Sequence, residues 1–136
     1  MVQLRDLFES SSFWARGRSC ADLSRMLAGS QAAVTAWKGR QLVGFGRATS
    51  DGIYRAVLWD VVITQEQQGL GLGRRVVETL LEAPPLIASE RVYLVTTNSS
   101  GFYERLGFRS VESQRLMQLD NNNEPDDQPN ESLTEN

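Results

Sequence analysis

One stretch decides the fold of this chain: Leu58-Trp59-Asp60-Val61-Val62-Ile63-Thr64-Gln65-Glu66-Gln67-Gln68-Gly69-Leu70-Gly71-Leu72-Gly73-Arg74-Arg75. Its first six residues are nearly all apolar, which is typical of a strand covered on both faces. Apolar residues then recur with helical spacing from Leu72 to Leu81, and Pro84-Pro85 ends the pattern. The stretch therefore predicts a buried strand, a glycine-rich turn and an amphipathic helix.

The glycine-rich turn has the features of an anion site. Free backbone N–H groups and the helix dipole favour negative charge at a helix N-terminus, and glycines let a phosphate approach the backbone. Arg74 and Arg75 fall in the first helical turn, where acidic residues are normally preferred, and a bound polyanion would account for that reversal. The alternative is a tight turn with two solvated arginines.

Two common phosphate motifs are excluded. The glycines are not followed by Lys-Ser or Lys-Thr, so the turn is not the P-loop of nucleoside triphosphatases. The spacing G-x-G-x-G also differs from the dinucleotide pattern G-x-G-x-x-G. The acidic residue of that pattern is missing too, because Glu90 precedes the next predicted strand instead of ending it.

The residues before this stretch predict two helices and an antiparallel meander. Apolar residues with helical spacing from Leu4 predict a first helix to about Trp14. A second, short helix is expected from Ser19, which has Asp22 three residues on, to Gly29. Polar or glycine turns separate three predicted strands, which are Ala33–Trp37, Leu42–Thr49 and Ile53–Ile63.

The residues after the stretch complete a β-α-β order and one domain. They predict a buried strand Arg91–Thr96, a short helix Asn98–Leu106 and a final strand Phe108–Leu119. Residues 120–136 are polar, acidic and without aromatics, which predicts a disordered tail. With 136 residues there is room for one core, so we expect a single domain over residues 1–119.

Charge and composition limit the partners. The predicted tail holds six of the 17 acidic residues and none of the 14 basic ones, so the predicted domain carries 14 basic against 11 acidic residues. This small excess suits an anionic ligand but is too modest to indicate nucleic acid. The apolar runs are too short for a membrane span and the N-terminus lacks a signal peptide pattern, so no membrane partner is expected.

The absence of histidine narrows the chemistry. It removes the commonest general base, the Ser-His-Asp and Cys-His systems and the commonest metal ligand. The single cysteine, Cys20, rules out an internal disulfide and every multi-cysteine zinc motif, so no metal is expected. A reducing compartment such as the cytoplasm is the expected location.

Two motifs together make the sequence recognisable. Gln68-x-x-Gly71-x-Gly73 after an apolar strand resembles the acetyl-CoA signature of the GNAT superfamily of N-acetyltransferases. Gly101-Phe102-Tyr103-Glu104-Arg105-Leu106-Gly107-Phe108 resembles the second hallmark of that superfamily, and the likeness covers about residues 4–119. The stretches 47–52 and 58–62 are also similar to the branch that contains plastid and cyanobacterial arylalkylamine (serotonin-type) acetyltransferases.

The resemblance implies an α/β (α+β) fold. Its sheet would be mixed, mostly antiparallel, flanked by helices and splayed between two central parallel strands, here 53–63 and 91–96, with pantetheine between them. Many family members begin with a strand before the first helix, and Met1–Gln3 is too short to supply it. We therefore expect the first family strand to be missing and a sheet edge to be exposed or covered by a partner, which allows a homodimer.

The resemblance also implies acetyl-CoA as donor and places its contacts. The main chain of Val61, Val62 and Ile63 would pair with pantetheine and polarise the acetyl carbonyl, while the amides of residues 70–74 would hold the pyrophosphate. Asn98 lies in a region that contacts the cofactor in this family, although a residue at that place is more often a helix cap. The expected cofactor-binding set is Val61, Val62, Ile63, Gln68, Gly69, Leu70, Gly71, Leu72, Gly73, Arg74 and Asn98.

Tyr103 is the expected general acid. The departing thiolate needs a proton, and an unperturbed tyrosine has a pKa of about 10, close enough to that of a thiol for proton donation. The resemblance places Tyr103 at the position of the tyrosine that serves as acid in many family members. The alternative is an aromatic residue that packs beside Phe102 in the core.

Asp60 and Trp59 are the expected acceptor-side residues. Burial within the apolar strand would raise the pKa of Asp60, which would then deprotonate or bind the acceptor amine. The alternative is a carboxylate neutralised by an arginine such as Arg55 or by backbone donors. A regular strand places Trp59 and Asp60 on opposite faces, so the two side chains line one pocket only if the strand bulges or the pocket wraps its end.

These features predict an acetyl-CoA-dependent N-acetyltransferase. We expect direct attack in a ternary complex, because no cysteine or serine is evidently activated for a covalent intermediate. The acceptor is a small-molecule or protein amine: an arylalkylamine, a polyamine, or a protein lysine or N-terminus. The alternative is a non-catalytic acyl-CoA-binding regulatory module, which would bind the cofactor and tolerate loss of Asp60 and Tyr103.

Overall fold

The computed structural model describes residues 1–121. A four-stranded sheet has the spatial order β1-β2-β3-β4, and helices cover both of its faces. In chain order the elements are α1 (Val2–Ser11), α2 (Cys20–Ala28), β1 (Ala32–Lys38), β2 (Gln41–Ser50), β3 (Arg55–Ile63), α3 (Leu72–Glu82), α4 (Pro84–Ile87), β4 (Arg91–Tyr93) and α5 (Ser100–Glu104), with a 3-10 turn at Gln65–Gln67.

The sheet is mixed, as predicted. Strands β1, β2 and β3 form an antiparallel meander, whereas β3 and β4 run parallel. The turn between β2 and β3 is held by Asp51, whose Oδ1 accepts from the backbone N–H groups of Ile53 and Tyr54, at 2.8 and 2.7 Å. These bonds favour the ionised form and hold the pKa of Asp51 below its ordinary value.

The core has two layers, one on each face of the sheet. On one face α3 packs so closely on β2 that a Cβ at Gly46 would lie 2.9 Å from Cγ1 of Val76 and 3.0 Å from Cδ1 of Leu80. On the other face α1 and α2 cover Phe45 and Val62, and the ring of Phe8 meets Phe45 edge-on at 5.6 Å. Glycine at position 46 therefore allows α3 to reach the sheet.

The helix boundaries agree with the sequence signals in part. The side chain of Ser19 accepts from the N–H of Asp22 at 3.1 Å, which confirms the predicted start of α2. The first helix ends at Ser11, three residues before its predicted end, because the Ser12 hydroxyl bonds back to the carbonyl of Phe8 and the backbone there is extended. Residues 84–87 form the additional helix α4 where only an end was predicted, since proline fits the first turn of a helix.

The C-terminal elements are shorter than predicted. The strand expected over 91–96 is only Arg91–Tyr93, and the helix expected over 98–106 is Ser100–Glu104. The final strand expected over Phe108–Leu119 is wrong: within residues 1–121 this segment forms no strand. A strand needs a partner for its backbone groups, and β4 offers only three residues at that edge, so Leu116, Met117 and Leu119 stay exposed.

The edges of the sheet follow from this arrangement. Within residues 1–121 the first element is α1, and β1 forms one edge of the sheet. Strand β4 was expected to be central but forms the other edge, because its outer neighbour is absent from the described part of the chain. The predicted disordered tail lies almost wholly outside the described residues, and the domain boundary at 119 stays a prediction.

None of the helices in residues 1–121 is long and apolar enough to cross a bilayer.

Candidate functional site

A β-bulge at Asp60 shapes the centre of the sheet. Phe45 pairs with Val62 and Arg47 with Trp59, so two residues of β3 lie opposite the single residue Gly46 of β2. At the bulge Asp60 has a φ of +55°, and among the described residues it is the only non-glycine with positive φ. Because of this bulge, Trp59 and Asp60 lie on the same side of the sheet, which a regular strand would not allow.

The carboxylate of Asp60 is buried and has three donors. Trp14 Nε1 donates to Oδ1 at 2.8 Å, Arg47 Nε donates to Oδ2 at 2.8 Å, and Arg18 Nη1 lies 3.2 Å from Oδ2. Only 5% of the Asp60 side chain is exposed. We call Asp60 with these three residues the Asp60 cluster.

The charges of the Asp60 cluster decide the protonation state of its carboxylate. Burial acts to raise the pKa of Asp60, but Arg18, Arg47 and the indole N–H of Trp14 together outweigh burial and hold that pKa below its ordinary value. The expectation of a raised pKa is therefore wrong. A neutralising arginine was the alternative, but Arg55 is not that arginine, since its Nη1 pairs with Glu90 at 2.9 Å.

Trp59 lies beside the cluster and is partly open to solvent. The indole is 38% exposed, and its Nε1 donates to Thr49 Oγ1 at 2.9 Å. The guanidinium of Arg47 lies 6.0 Å from the ring centroid, so Arg47 touches both Trp59 and Asp60. The face formed by these residues is aromatic and carries excess positive charge, because two arginines share one carboxylate.

Strands β3 and β4 diverge soon after they meet. Their parallel pairing joins Arg55–Val57 to Arg91–Tyr93 and goes no further. From Leu58 to Ile63, β3 pairs only with β2 in the described part of the chain, so one side of its backbone faces the space beyond β4. This divergence is the splay expected between residues 53–63 and 91–96, and Val61, Val62 and Ile63 lie along it.

The glycine turn joins the end of β3 to α3. Gly69 and Gly71 both have φ near +82°, and a Cβ at either position would meet nothing within 4 Å. Gly71 caps α3 without a side-chain hydrogen bond, and the first turn of α3 holds no acidic residue. The N–H groups at this helix start are therefore left to solvent or to an anion.

The other predicted residues of this turn have distinct surroundings. Gln68 Nε2 donates to the carbonyl of Ile63 at 3.1 Å, which ties the turn to the end of β3. Leu70 is 71% exposed, Leu72 packs at the edge of the α3 core and Gly73 is buried. The Arg74 side chain is largely exposed, and its Nε lies 3.2 Å from Glu78.

Tyr103 lies in the core at the start of the C-terminal segment. Helix α5 carries it, it is only 4% exposed, and its ring meets those of Phe102 and Phe108 edge-on at 4.9 and 5.8 Å. It belongs to the cluster that includes Leu58 and Val61 of β3. Tyr103 thus belongs to the same buried layer as the part of β3 that lies beyond the pairing with β4.

Ser99, and not Asn98, caps α5. Asn98 is exposed and precedes the cap by one residue. The Ser99 hydroxyl is buried and, within residues 1–121, Ser99 Oγ and Thr64 Oγ1 are the buried side-chain oxygens that lack a hydrogen-bond partner. Ser99 lies in the segment that leads from β4 to α5.

Comparison with known proteins decides the family. The profile described as the acetyltransferase (GNAT) family matches residues 1–108. The chain belongs to the GNAT acetyltransferase family. Its N-acetyltransferase relatives include plastid proteins of the branch that the sequence resembles. The members of this family use acetyl-CoA.

Two curated relatives and one solved structure are similar to this GNAT chain. "GCN5-related N-acetyltransferase 1, chloroplastic" from Arabidopsis thaliana is 33% identical over 109 residues, covering 79% of this chain and 55% of that protein. "Serotonin N-acetyltransferase 2, chloroplastic" from Oryza sativa subsp. japonica is 43% identical over 67 residues, covering 48% and 34%. A GNAT-family structure from Xanthomonas campestris pv. campestris superposes with a TM-score of 0.74 at 25% identity, covering 87% and 84%. The chain thus spans about half or less of the length of the two curated relatives.

Sequence reasoning missed the partners that determine the state of Asp60 in this GNAT domain. From the sequence alone, Trp14 was interpreted as an aromatic residue of the core or of an acceptor site. Neither Arg18 nor Arg47 was identified as a partner of Asp60. Arg47 carried one usable signal, because it lies in the strand paired with that of Asp60. Arg18 carried none, since it lies outside the regular elements. Among residues 1–121 no group of three or more acidic or cysteine side chains is placed to hold a metal ion.

The Asp60 cluster makes stability depend on pH in a defined direction. A carboxylate whose folded pKa is lowered adds stability above its unfolded pKa and loses it as pH falls through the folded pKa. We expect Asp60→Asn to lower the free energy of unfolding by about 3–5 kcal/mol at pH 7, because it leaves two arginines beside a neutral group. Urea unfolding between pH 7 and 3 measures this difference, which should shrink below about pH 4.

Asp6→Asn is the matched control, since Asp6 is 65% exposed and faces only Arg5, at 3.6 Å. Its effect should stay within about 0.5 kcal/mol. An Asp60→Asn difference that is equally large at pH 7 and pH 3 would contradict the ionised, paired state of Asp60.

Proposed function

We propose that this GNAT domain transfers the acetyl group of acetyl-CoA to an amine by direct attack in a ternary complex. One observation carries the proposal: the unpaired side of β3 from Leu58 to Ile63 leads to the uncapped N-terminus of α3. A strand edge with unused peptide groups suits the amides of pantetheine, and a helix N-terminus suits a pyrophosphate. When bound, acetyl-CoA supplies the thioester that the amine attacks.

The residues around the glycine turn fit an anionic group. Gly69 and Gly71 leave open space where a side chain would stand, so a phosphate has access to the backbone N–H groups of Leu70 to Arg74. Arg74 and Arg75 add positive charge at a helix start that otherwise has no acidic side chain. Gln68 contributes indirectly, because its bond to Ile63 fixes the turn relative to β3.

Tyr103 is the proposed general acid. Its place in the same buried cluster as Leu58 and Val61 supports this role, since those residues belong to the splayed part of β3 where the thioester would lie. A phenolic O–H is a proton donor of the kind that a departing thiolate needs. The main chain of Val61 to Ile63 would supply the donors that stabilise charge on the acetyl oxygen.

The proposed role of Asp60 is that of a carboxylate that is ionised at neutral pH and does not act as the base. Its lowered pKa makes it a weak proton acceptor, and its two oxygens already receive three donors. We infer that the amine attacks the acetyl carbonyl in its neutral form, after losing its proton to water or through a water chain. Trp59, exposed beside this cluster, is the proposed acceptor contact, and its flat face suits an aromatic or aliphatic amine.

The acceptor class is tested by thiol release. Acetyl-CoA is incubated with serotonin, tryptamine, spermidine, a lysine peptide or a peptide with a free N-terminus, and compared with an amine-free blank. Release above the blank identifies the acceptor, and the serotonin relative makes arylalkylamines the first to test. Flat traces in a sample that binds acetyl-CoA by calorimetry would favour the regulatory module, the second candidate.

We propose a reducing compartment, in the simplest case the cytoplasm. The single Cys20 is the observation that supports it. The names of both plant relatives place those proteins in the chloroplast.

Gly71→Ala tests the proposed pyrophosphate site. An alanine at φ +82° is strained by roughly 1–2 kcal/mol and should tilt the N–H groups of the turn. We expect acetyl-CoA binding, measured by calorimetry, to weaken about tenfold, which corresponds to about 1.4 kcal/mol. Gly52→Ala is the control, because Gly52 has φ +80° in equally open space at the β2–β3 turn. Equal weakening by both variants would contradict the assignment.

Tyr103→Phe tests the proposed acid. Removing one hydroxyl keeps the ring contacts with Phe102 and Phe108, so acetyl-CoA affinity should change less than twofold while kcat falls by about 10²–10⁴. Tyr54→Phe, at an exposed turn, is the control. Loss of cofactor binding with unchanged kcat would remove Tyr103 from the role of acid.

A homodimer through the β1 edge is a further expectation. Within residues 1–121 strand β1 pairs only with β2, and Ala33, Thr35 and Trp37 are exposed along it. Sedimentation at high protein concentration should show a dimer, and Ala33→Lys should favour the monomer because a charge on an edge strand opposes pairing. A strict monomer at all concentrations would rule out this partner.

A further inference from the structure

The Asp60 cluster joins three separate parts of the chain. Trp14 and Arg18 come from the connection between α1 and α2, Arg47 comes from β2, and Asp60 is the bulge of β3. All three donors converge on a carboxylate whose side chain is only 5% exposed. The cluster is therefore the point at which the α1–α2 connection is fastened to the middle of the sheet.

The bulge needs the cluster for its own stability. A non-glycine residue in the left-handed region has a strained backbone, and Asp60 has a φ of +55°. The side chain of the same residue makes two bonds of 2.8 Å and an ion pair of 3.2 Å, which offset that strain. The strained backbone and the paired carboxylate therefore depend on each other.

The bulge in turn sets the face to which each following residue of β3 belongs. Val61 and Ile63 pack in the α3 layer, whereas Val62 packs in the α1 and α2 layer. Loss of the extra residue would shift the register by one and exchange these faces. The bulge therefore determines which peptide groups of β3 point toward the splay.

We propose that Arg18 and Arg47 are positioning residues for acetyl transfer that act through Asp60. Arg47 holds the bulge against β2 and so sets the main chain proposed to meet the donor. Arg18 holds the α1–α2 connection against Asp60, the residue that follows Trp59 in β3, and so sets the acceptor side. This inference rests on the proposed function.

The two arginines differ in their surroundings, which separates their effects. The side chain of Arg47 is 16% exposed and its Nη1 also donates to Ser30 Oγ at 3.3 Å, so it is fixed on the sheet. The side chain of Arg18 is 32% exposed and lies over the ring of Phe8 at 5.4 Å. Loss of Arg18 removes one of the two ties between the connection and Asp60, because Trp14 still donates to Oδ1, and the Arg47–Asp60 pair remains.

Steady-state kinetics and calorimetry on Arg18→Gln and Arg47→Gln test the proposal. Arg47→Gln should weaken acetyl-CoA binding about tenfold and lower kcat by about 10- to 100-fold, because the donor-facing backbone moves. Arg18→Gln should raise the acceptor KM about tenfold and leave acetyl-CoA affinity within twofold. Arg25→Gln is the matched control, since Arg25 is exposed on α2.

Arg47→Lys separates positioning from folding. Lysine keeps the charge but lacks the guanidinium geometry. We expect Arg47→Lys to recover more of the thermal stability lost in Arg47→Gln than of the acetyl-CoA affinity lost in it. The proposal would be overturned if both glutamine variants changed acetyl-CoA affinity and acceptor KM equally, or by no more than Arg25→Gln does.

Two further outcomes separate this proposal from the proposed function. If the wild type binds acetyl-CoA but acetylates none of the amines, the proposed function alone is contradicted. If the dissociation constant of acetyl-CoA is unchanged in Arg47→Gln, the positioning role is contradicted.

Discussion

A buried carboxylate stays ionised only where donors replace the water that it has lost, and Asp60 meets this constraint with two arginines and an indole N–H. The arrangement has a structural consequence beyond charge. It allows a non-glycine residue to hold a left-handed backbone in the middle of a strand. The resulting bulge shifts the pairing of β2 with β3 and determines the layer in which each of the next three residues packs.

The two halves of the proposed donor site are linked by this geometry. Strand β3 carries the bulge, runs past the end of its pairing with β4, and passes through Gln68 into the glycine turn and α3. A flexible, polyanionic cofactor needs both a strand edge for its amides and a helix N-terminus for its phosphates. One continuous segment, from β3 through the turn to α3, offers both, and α3 is anchored on the sheet by its close approach to Gly46.

Local patterns in the sequence predicted the elements up to α3, because capping, turns and apolar periodicity are encoded by neighbouring residues. The mixed sheet and its splay were expected from the resemblance to the GNAT superfamily. They did not predict how Asp60 is paired, since Arg47 lies 13 residues away and Trp14 lies 46 residues away along the chain. The final strand was predicted from its own residues, yet a strand also requires a partner, and the three residues of β4 do not provide one. The pKa of Asp60 was predicted to be raised but is lowered. The burial of Asp60 is visible in the apolar run of the sequence, whereas its counter-charges, which lie far away along the chain, are not.

Hydrogen exchange with and without acetyl-CoA tests the central claim most directly, because it reports separately on the strand and on the turn. We predict that acetyl-CoA slows exchange in two segments, the backbone amides of 61–63 and those of 70–74, while the β1–β2 turn at 38–41 is unchanged. Slowed exchange at the amides of 70–74 without any change at 61–63 would show that the splay does not hold the cofactor. That result would contradict the proposed role of the bulge in donor binding.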